Sequence, residues 1–187
     1  QLRPVVDNAQ LAVSELTSWN RTVVLRFSAS ARASCRPACI ASAEVRICVF
    51  CGTNPGTRPE YGAAARQLGK VLAEQGIELV YGGASVGIMG ELADSVHEHG
   101  GHVTGIIPDF LQNREFMLKE AQEHIVTKDM HERKRLMFEK ADAFVALPGG
   151  IGTLEELVEQ MTWAQLGRHN KPILLLSING FWKPLLV

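Results

Sequence analysis

The sequence predicts an α/β protein: a single doubly wound domain with a mainly parallel sheet flanked by helices on both faces. Two observations carry this. From Glu44 onward, short apolar runs of strand length alternate with stretches whose apolar residues recur at helical spacing. Three of those runs also end in glycine-rich turns, which in an open α/β sheet lie at the carboxyl edge, where ligands bind.

Residues 1–43 stand apart. They hold five arginines (Arg3, Arg21, Arg26, Arg32, Arg36) against two acids (Asp7, Glu15), and the chain opens on Gln1. They are expected to be an atypical N-terminal extension, either flexible or an artificially added leader, with a composition that also resembles a transit peptide. Residues 44–187 make the folded domain. Val45–Phe50 is predicted as a buried strand that ends at the loop Cys51–Gly56. A helix over Pro59–Gln75 follows, with Ala64, Leu68, Val71 and Leu72 on one side and Gly76 as its stop. Ile77–Tyr81 is the next strand. The glycine-rich stretch Gly82–Gly90, which includes Gly83, leads into a helix carrying Leu92, Ala93, Val96 and His97. His102–Ile107 is a third strand, closed by Pro108. Pro108–Ile125 is expected to be a mixed loop or short helix holding Arg114 and Glu115, and Ile125–Thr127 a short strand.

Asp129 then caps a helix through the box Asp129-x-x-Glu132, and that helix runs to about Lys140. Asp142–Leu147 supplies a strand, and Lys171-Pro172 introduces another at Ile173–Leu176. Ser177–Val187 is expected to begin a further helix and stops without a cap, so the domain reads as truncated at its C-terminus.

The most informative stretch is Leu147–Glu156. It joins the strand Asp142–Leu147 to a helix in which Leu154, Leu157, Val158 and Met161 recur at helical spacing. Gly149, Gly150 and Gly152 let a ligand approach the backbone closely. A helix that opens there points free N–H groups and its positive dipole end into the turn, where phosphate is the natural guest. The competing explanation is a tight turn followed by a capping box, since Thr153-x-x-Glu156 fits that pattern. On a helical wheel Glu156, Gln160 and Trp163 lie opposite the apolar stripe, so a cleft or a partner subunit is expected to cover them.

In the preceding helix Met130, Arg133 and Met137 fall at i, i+3 and i+7. Arg133 is either a snorkelling side chain whose stem covers apolar surface, or an arginine aimed into a cleft, where its fork of donors suits phosphate or carboxylate. Lys134 and Arg135 read as a solvated face.

Composition bounds the function. The 187 residues suit one domain, hydrophobic content is 46% and charged content 21%. A net charge of −1 implies no general attraction to nucleic acid or anionic membrane. No apolar run reaches the roughly 18 residues needed to span a bilayer, so the default compartment is cytoplasmic. Cys35, Cys39, Cys48 and Cys51 resemble a zinc pattern, and Cys48-x-x-Cys51 a redox pair. Against both, Cys48 sits in a strand, where it acts as a small hydrophobe. Gly82–Gly90 lacks the spacing of the dinucleotide fingerprint, which disfavours an NAD site.

Two blocks together, Met130-His131-Glu132-Arg133-Lys134 and Pro148-Gly149-Gly150-Ile151-Gly152-Thr153-Leu154-Glu155-Glu156, resemble the LONELY GUY family, also labelled lysine decarboxylases. The likeness runs from about Glu44 to the end. It takes in Cys51-Gly52, Tyr81–Gly90, Gly105–Pro108 and Thr162–Gly167. The resemblance implies a Rossmann-like nucleotide-binding fold, a homodimer and hydrolysis of the N-glycosidic bond of nucleoside 5′-monophosphates, such as cytokinin riboside 5′-monophosphate or AMP. It implies Arg133 and Glu156 as the catalytic pair. Substrate contacts would fall on Glu115, Lys134, Gly150, Ile151, Gly152, Thr153, Leu154, Glu155 and Thr162, with Gly52, Gly83 and Gly149 in the accompanying turns. No cofactor or metal is required. The alternative is a non-catalytic nucleotide or molybdenum-cofactor carrier of similar fold, which needs the phosphate-binding turns but no carboxylate at the sugar.

Overall fold

The structure is a computed structural model that describes residues 22–25, 45–112 and 122–185. Strand β1 is Thr22–Leu25, β2 Arg46–Phe50, β3 Glu78–Tyr81, β4 Val103–Pro108, β5 Glu123–Thr127, β6 Ala143–Ala146 and β7 Ile173–Leu176. The helices are α1 Pro59–Glu74, α2 Gly87–Glu98, α3 Met130–Lys140 and α4 Ile151–Gln165. Among the described residues the strands form one seven-stranded sheet in the order β1-β7-β6-β2-β3-β4-β5. β2 to β7 run parallel, and β1 pairs antiparallel with β7.

The sheet separates two apolar layers, and strand periodicity decides which residue enters which. In β2, Ile47 and Val49 face α1 and α2 with Leu68, Leu72, Leu92 and Val96. Cys48 and Phe50 face the opposite way, towards Met137 of α3 and Leu157 of α4. A strand buried on both sides has no polar face to show, which is why these segments read as continuous apolar runs. Each fully buried side chain of this size contributes about 1.5–3 kcal/mol.

The chain leaves β2 towards β3, β4 and β5, then returns to lay β6 on the other side of β2. Strand order therefore reverses between β2 and β6. At such a switch point the loops diverge above the carboxyl ends and open a crevice.

The elements match expectation with four differences. β1 arises inside the arginine-rich stretch and pairs Thr22 with Leu176 and Leu25 with Ile173. α2 begins at Gly87, so the turn after β3 is shorter than Gly82–Gly90. β5 starts two residues earlier than predicted, at Glu123. Among the described residues after β7, two short 3-10 turns, Ile178–Gly180 and Lys183–Leu185, stand where the sequence predicts an α-helix. The left-handed conformations of Asn179 (φ 52°) and Gly180 (φ 77°) interrupt any regular helix there. Among the described residues, no helix is long and apolar enough to cross a membrane.

Candidate active site

A cleft of about 520 Å³ opens at the switch point, within the range of roughly 300–1,000 Å³ typical of small-molecule sites. Its floor is made where the turns after β2 and β6 touch. Leu147 N–H donates to Phe50 O (2.9 Å) and Gly52 N–H to Pro148 O (3.3 Å), which extends the strand pairing into the turns. A Cβ on Gly52 would lie 3.3 Å from Gly149 Cα, so glycine at these positions lets the two backbones lie this close.

α4 opens onto this floor. Its N-cap is Gly150, and no side chain caps the helix. Leu154 N–H makes the first bond back, to Gly150 O (3.1 Å). The amides of Ile151, Gly152 and Thr153 thus precede the first intrahelical hydrogen bond and face the cleft end of the dipole. The box suggested by Thr153-x-x-Glu156 does not form, because the helix starts too early for Thr153 to cap it. Thr153 and Glu156 are instead buried within α4. Asp129 does cap α3, with Glu132 N–H donating to Asp129 Oδ1 (2.8 Å), but Glu132 Oε2 accepts from the preceding Lys128 N–H (2.9 Å) rather than from the N-cap amide, so only half of the expected box is seen.

The cleft is lined by a buried ion pair between α3 and α4. Arg133 Nη1 lies 3.0 Å from Glu156 Oε1, with the two side chains 8% and 7% exposed. Arg133 Nε also donates to Ile106 O of β4 (3.1 Å), and Nη1 lies 3.9 Å from Met130 Sδ. Arg133 is therefore a buried, three-point-anchored cation lining the cleft, not a snorkelling side chain. A Cβ on Gly82 would come within 2.4 Å of its Nη2. Burial pushes the Glu156 carboxyl above the usual carboxylate value, and Arg133 opposes that rise without cancelling it. Burial likewise pushes up the thiols of Cys48 and Cys51, which are free and face opposite sides of the sheet. They are inert neighbours.

Of the residues expected at the site, Arg133, Glu156, Gly52, Gly149, Gly150, Ile151, Gly152, Thr153 and Glu155 line this one cleft. Leu154 borders an adjoining apolar groove with Phe181, Trp182 and Leu185. Gly83, at φ +84°, backs onto Ile106 and Ile107. Thr162 is turned outward and donates to Val158 O (2.8 Å). Lys134 is not on a solvated face: its Nζ reaches Glu155 Oε1 (2.5 Å) and Glu159 Oε1 (3.0 Å). Glu115 lies outside the described residues.

The expected orientation of α4 is also corrected. Its buried face is Thr153, Glu156, Leu157, Gln160 and Ala164, while Val158 is 41% exposed. Trp163 packs edge-on against Phe138 at 5.1 Å, under the guanidinium of Arg168. The cleft also takes in Thr53, Asn54, Tyr61, Met89, Met130 and Phe181. Thr53 and Asn54 belong to the switch-point loop, and Met130 shares a helix face with Arg133. Tyr61 and Phe181 carry no comparable sequence signal.

Fold and cleft together define a Rossmann-like α/β protein with a glycine-lined site at its switch point. The profile of a family described as possible lysine decarboxylase matches residues 89–187, and the chain belongs to this family. Cytokinin riboside 5′-monophosphate phosphoribohydrolase LOG7 of Arabidopsis thaliana is 54% identical over 75% of this chain and 65% of its own length. Phosphoribohydrolase LOG of Oryza sativa subsp. japonica is 53% identical over 75% of this chain and 58% of its own. The chain thus spans less than two thirds of these relatives' lengths. The structure of the Moco carrier protein from Chlamydomonas reinhardtii is similar at a TM-score of 0.57 and 25% identity, over 66% of this chain and 74% of that one.

Proposed function

We propose that the protein is a phosphoribohydrolase: it cleaves the N-glycosidic bond of a nucleoside 5′-monophosphate, giving free base and ribose 5-phosphate. The buried Arg133–Glu156 pair inside a phosphate-receptive cleft carries this reading, and the names of the similar LOG proteins agree with it. The 5′-phosphate would rest on the amides of Ile151 to Thr153. From Thr153 to Glu156 the helix rises about 4.5 Å, comparable with a ribose ring, so Glu156 would meet the sugar of an anchored nucleotide.

Breaking the bond from C1′ to the base nitrogen builds positive charge on the sugar, as in glycoside hydrolysis. An ionised Glu156 stabilises that charge and accepts a proton from the attacking water. The water oxygen bonds to C1′, and the departing nitrogen leaves with the bonding pair and takes up a proton. Arg133 orients Glu156 and offers its remaining donors to ribose or phosphate oxygens.

Incubation with AMP and with isopentenyladenosine monophosphate, followed by chromatography, tests the assignment. Free base and ribose 5-phosphate in equal amounts are expected; a folded sample that releases neither over hours refutes it. The pH dependence follows from Glu156. Its raised folded-state pKa means that the ionised form is lost at a higher pH than for an ordinary glutamate. The acid limb of kcat/KM, which reports the free enzyme, should therefore have its midpoint above the usual glutamate value, and a limb at or below that value would contradict the assigned role.

The likeness to the Moco carrier protein favours a second reading, a nucleotide or cofactor carrier. A carrier would not need a buried carboxylate–arginine pair facing the ligand, so the hydrolase reading is preferred.

We also assign a homodimer in the cytoplasm. Ile151 (82% exposed), Val158 (41%) and Leu166 (71%) lie on one side of α4, interspersed with the exposed Glu155 and Thr162, and these exposed apolar side chains are the surface offered to the partner. Leu166→Glu should shift the dimer to monomer in sedimentation velocity; an unchanged dimer places the interface elsewhere.

A further inference from the structure

We propose that Met130 is an oxidative modification site that switches the cleft off: hydrogen peroxide converts its thioether to the sulfoxide, and the new oxygen captures Arg133. The loss of turnover rests on the hydrolase reading, whereas the oxidation and its effect on ligand binding do not.

Met130 is the first residue of α3 and precedes Arg133 by three positions, so the two side chains share a helix face. Its Sδ lies 3.9 Å from Arg133 Nη1, the nitrogen that also meets Glu156 Oε1 at 3.0 Å. Nη1 has two protons to give, and its two neighbours are this carboxylate and this sulfur. A thioether is a weak acceptor, so the donor beside Met130 can turn to an oxygen of a bound nucleotide. A sulfoxide oxygen is a strong acceptor, and on the side of the sulfur that faces Arg133 it stands nearer to Nη1 than the sulfur does. It would hold that donor and place a polar group on an apolar part of the wall.

Access and chemistry both single out this residue. Met130 is half-buried and lines the open cleft, while Met89 and Met137 are only 4% and 2% exposed. Cys51 also lines the cleft, and Cys48 is fully buried beside it in sequence on β2. Oxidation of cysteine proceeds through the thiolate, and burial keeps both thiols protonated. A thioether needs no deprotonation. A sulfur lone pair attacks one peroxide oxygen, the O–O bond breaks and the S–O bond forms. The sulfur gives up two electrons, and the departing hydroxide takes the proton of the transferred oxygen and leaves as water.

The test treats the full chain with hydrogen peroxide, in the presence and absence of AMP, and maps added oxygen by peptide mass spectrometry. The same samples are assayed for kcat/KM on AMP and for calorimetric AMP affinity. Met130 is expected to gain one oxygen ahead of Met89 and Met137, and AMP in the cleft should slow that gain. Both kcat/KM and affinity should fall by about tenfold to a hundredfold, the range for losing a hydrogen bond from a charged donor. Methionine sulfoxide reductase with dithiothreitol should restore them, and dithiothreitol alone should not. Met130→Leu, which keeps the apolar volume without the sulfur, is compared with its own untreated activity and should resist peroxide.

The proposal is overturned if Met130 stays reduced, if AMP does not slow its oxidation, or if oxidised Met130 leaves kcat/KM and affinity unchanged. Recovery with dithiothreitol alone, or Met130→Leu inactivated as the parent is, would assign the effect to another residue and overturn it as well. Should Met130→Leu not fold, the reductase reversal on the parent protein decides. A parent without turnover refutes the hydrolase reading, and the oxygen map with AMP affinity before and after peroxide then decides the role of Met130 alone.

Discussion

Replacing Glu156 by glutamine is expected to lower turnover of a nucleoside 5′-monophosphate by about 10²–10⁴-fold, the range associated with a positioned acid–base group. The amide keeps the shape of the side chain and can still accept from Arg133 Nη1, now 3.0 Å from Glu156 Oε1. What it cannot do is carry the negative charge that faces the sugar or take a proton from water. Nucleotide affinity should therefore remain within about threefold of the parent, since uniform binding is untouched. Steady-state kinetics beside calorimetry separates the two quantities. Substantial turnover in Glu156→Gln would place the chemistry elsewhere in the cleft, and loss of affinity with turnover would make Glu156 a binding group.

The second large effect is expected from Arg133→Met, which removes the cation and leaves its partner in place. Breaking a buried pair by deleting one member costs about 3–5 kcal/mol when the other stays charged. Glu156 is 7% exposed, so it retains the desolvation that already raises its carboxyl, now without the opposing guanidinium. The sign of the pH dependence follows. A carboxyl with a folded-state pKa above its unfolded value stabilises the fold below the unfolded pKa, and that contribution is lost as pH rises through the folded value. The deficit of Arg133→Met against the parent should thus be largest at neutral pH and shrink on acidification. Denaturant melts at several pH values check it. A deficit that grows on acidification would mean that the pair is not what holds Arg133 in the core.

Much of this was legible in the chain itself, and the misses have physical causes. Segments such as Val45–Phe50 and Ile173–Leu176 are apolar throughout because they are buried on both faces, and each is followed or preceded by a clear breaker. β1 was hidden: four residues at the edge of the sheet, inside an arginine-rich stretch, offer too short a run to register.

The face of α4 was misread because apolar spacing assumes that polar residues point to water. Glu156 and Gln160 point inward with Leu157, since the cleft and its ion pair lie inside the fold. A site of this kind violates the pattern by construction of its chemistry. Lys134 followed the same logic in reverse. A charged residue next to Arg135 reads as solvated, and only the packing of α4 against α3 reveals two glutamates within reach. Tyr61 and Phe181 meet at 5.7 Å across the cleft rim from segments 120 positions apart. No local pattern can announce such a pair.

The central claim is that the glycine turn anchors a 5′-phosphate so that Glu156 acts at the sugar. Comparing kcat/KM for AMP with that for adenosine tests it most directly, because the two differ only in the anchoring group. Binding energy from a remote part of the substrate is expressed at the reacting centre, so AMP should be favoured by about a hundredfold or more, with adenine and ribose 5-phosphate as products. Equal values for the two substrates, or adenosine cleaved faster, would contradict the account.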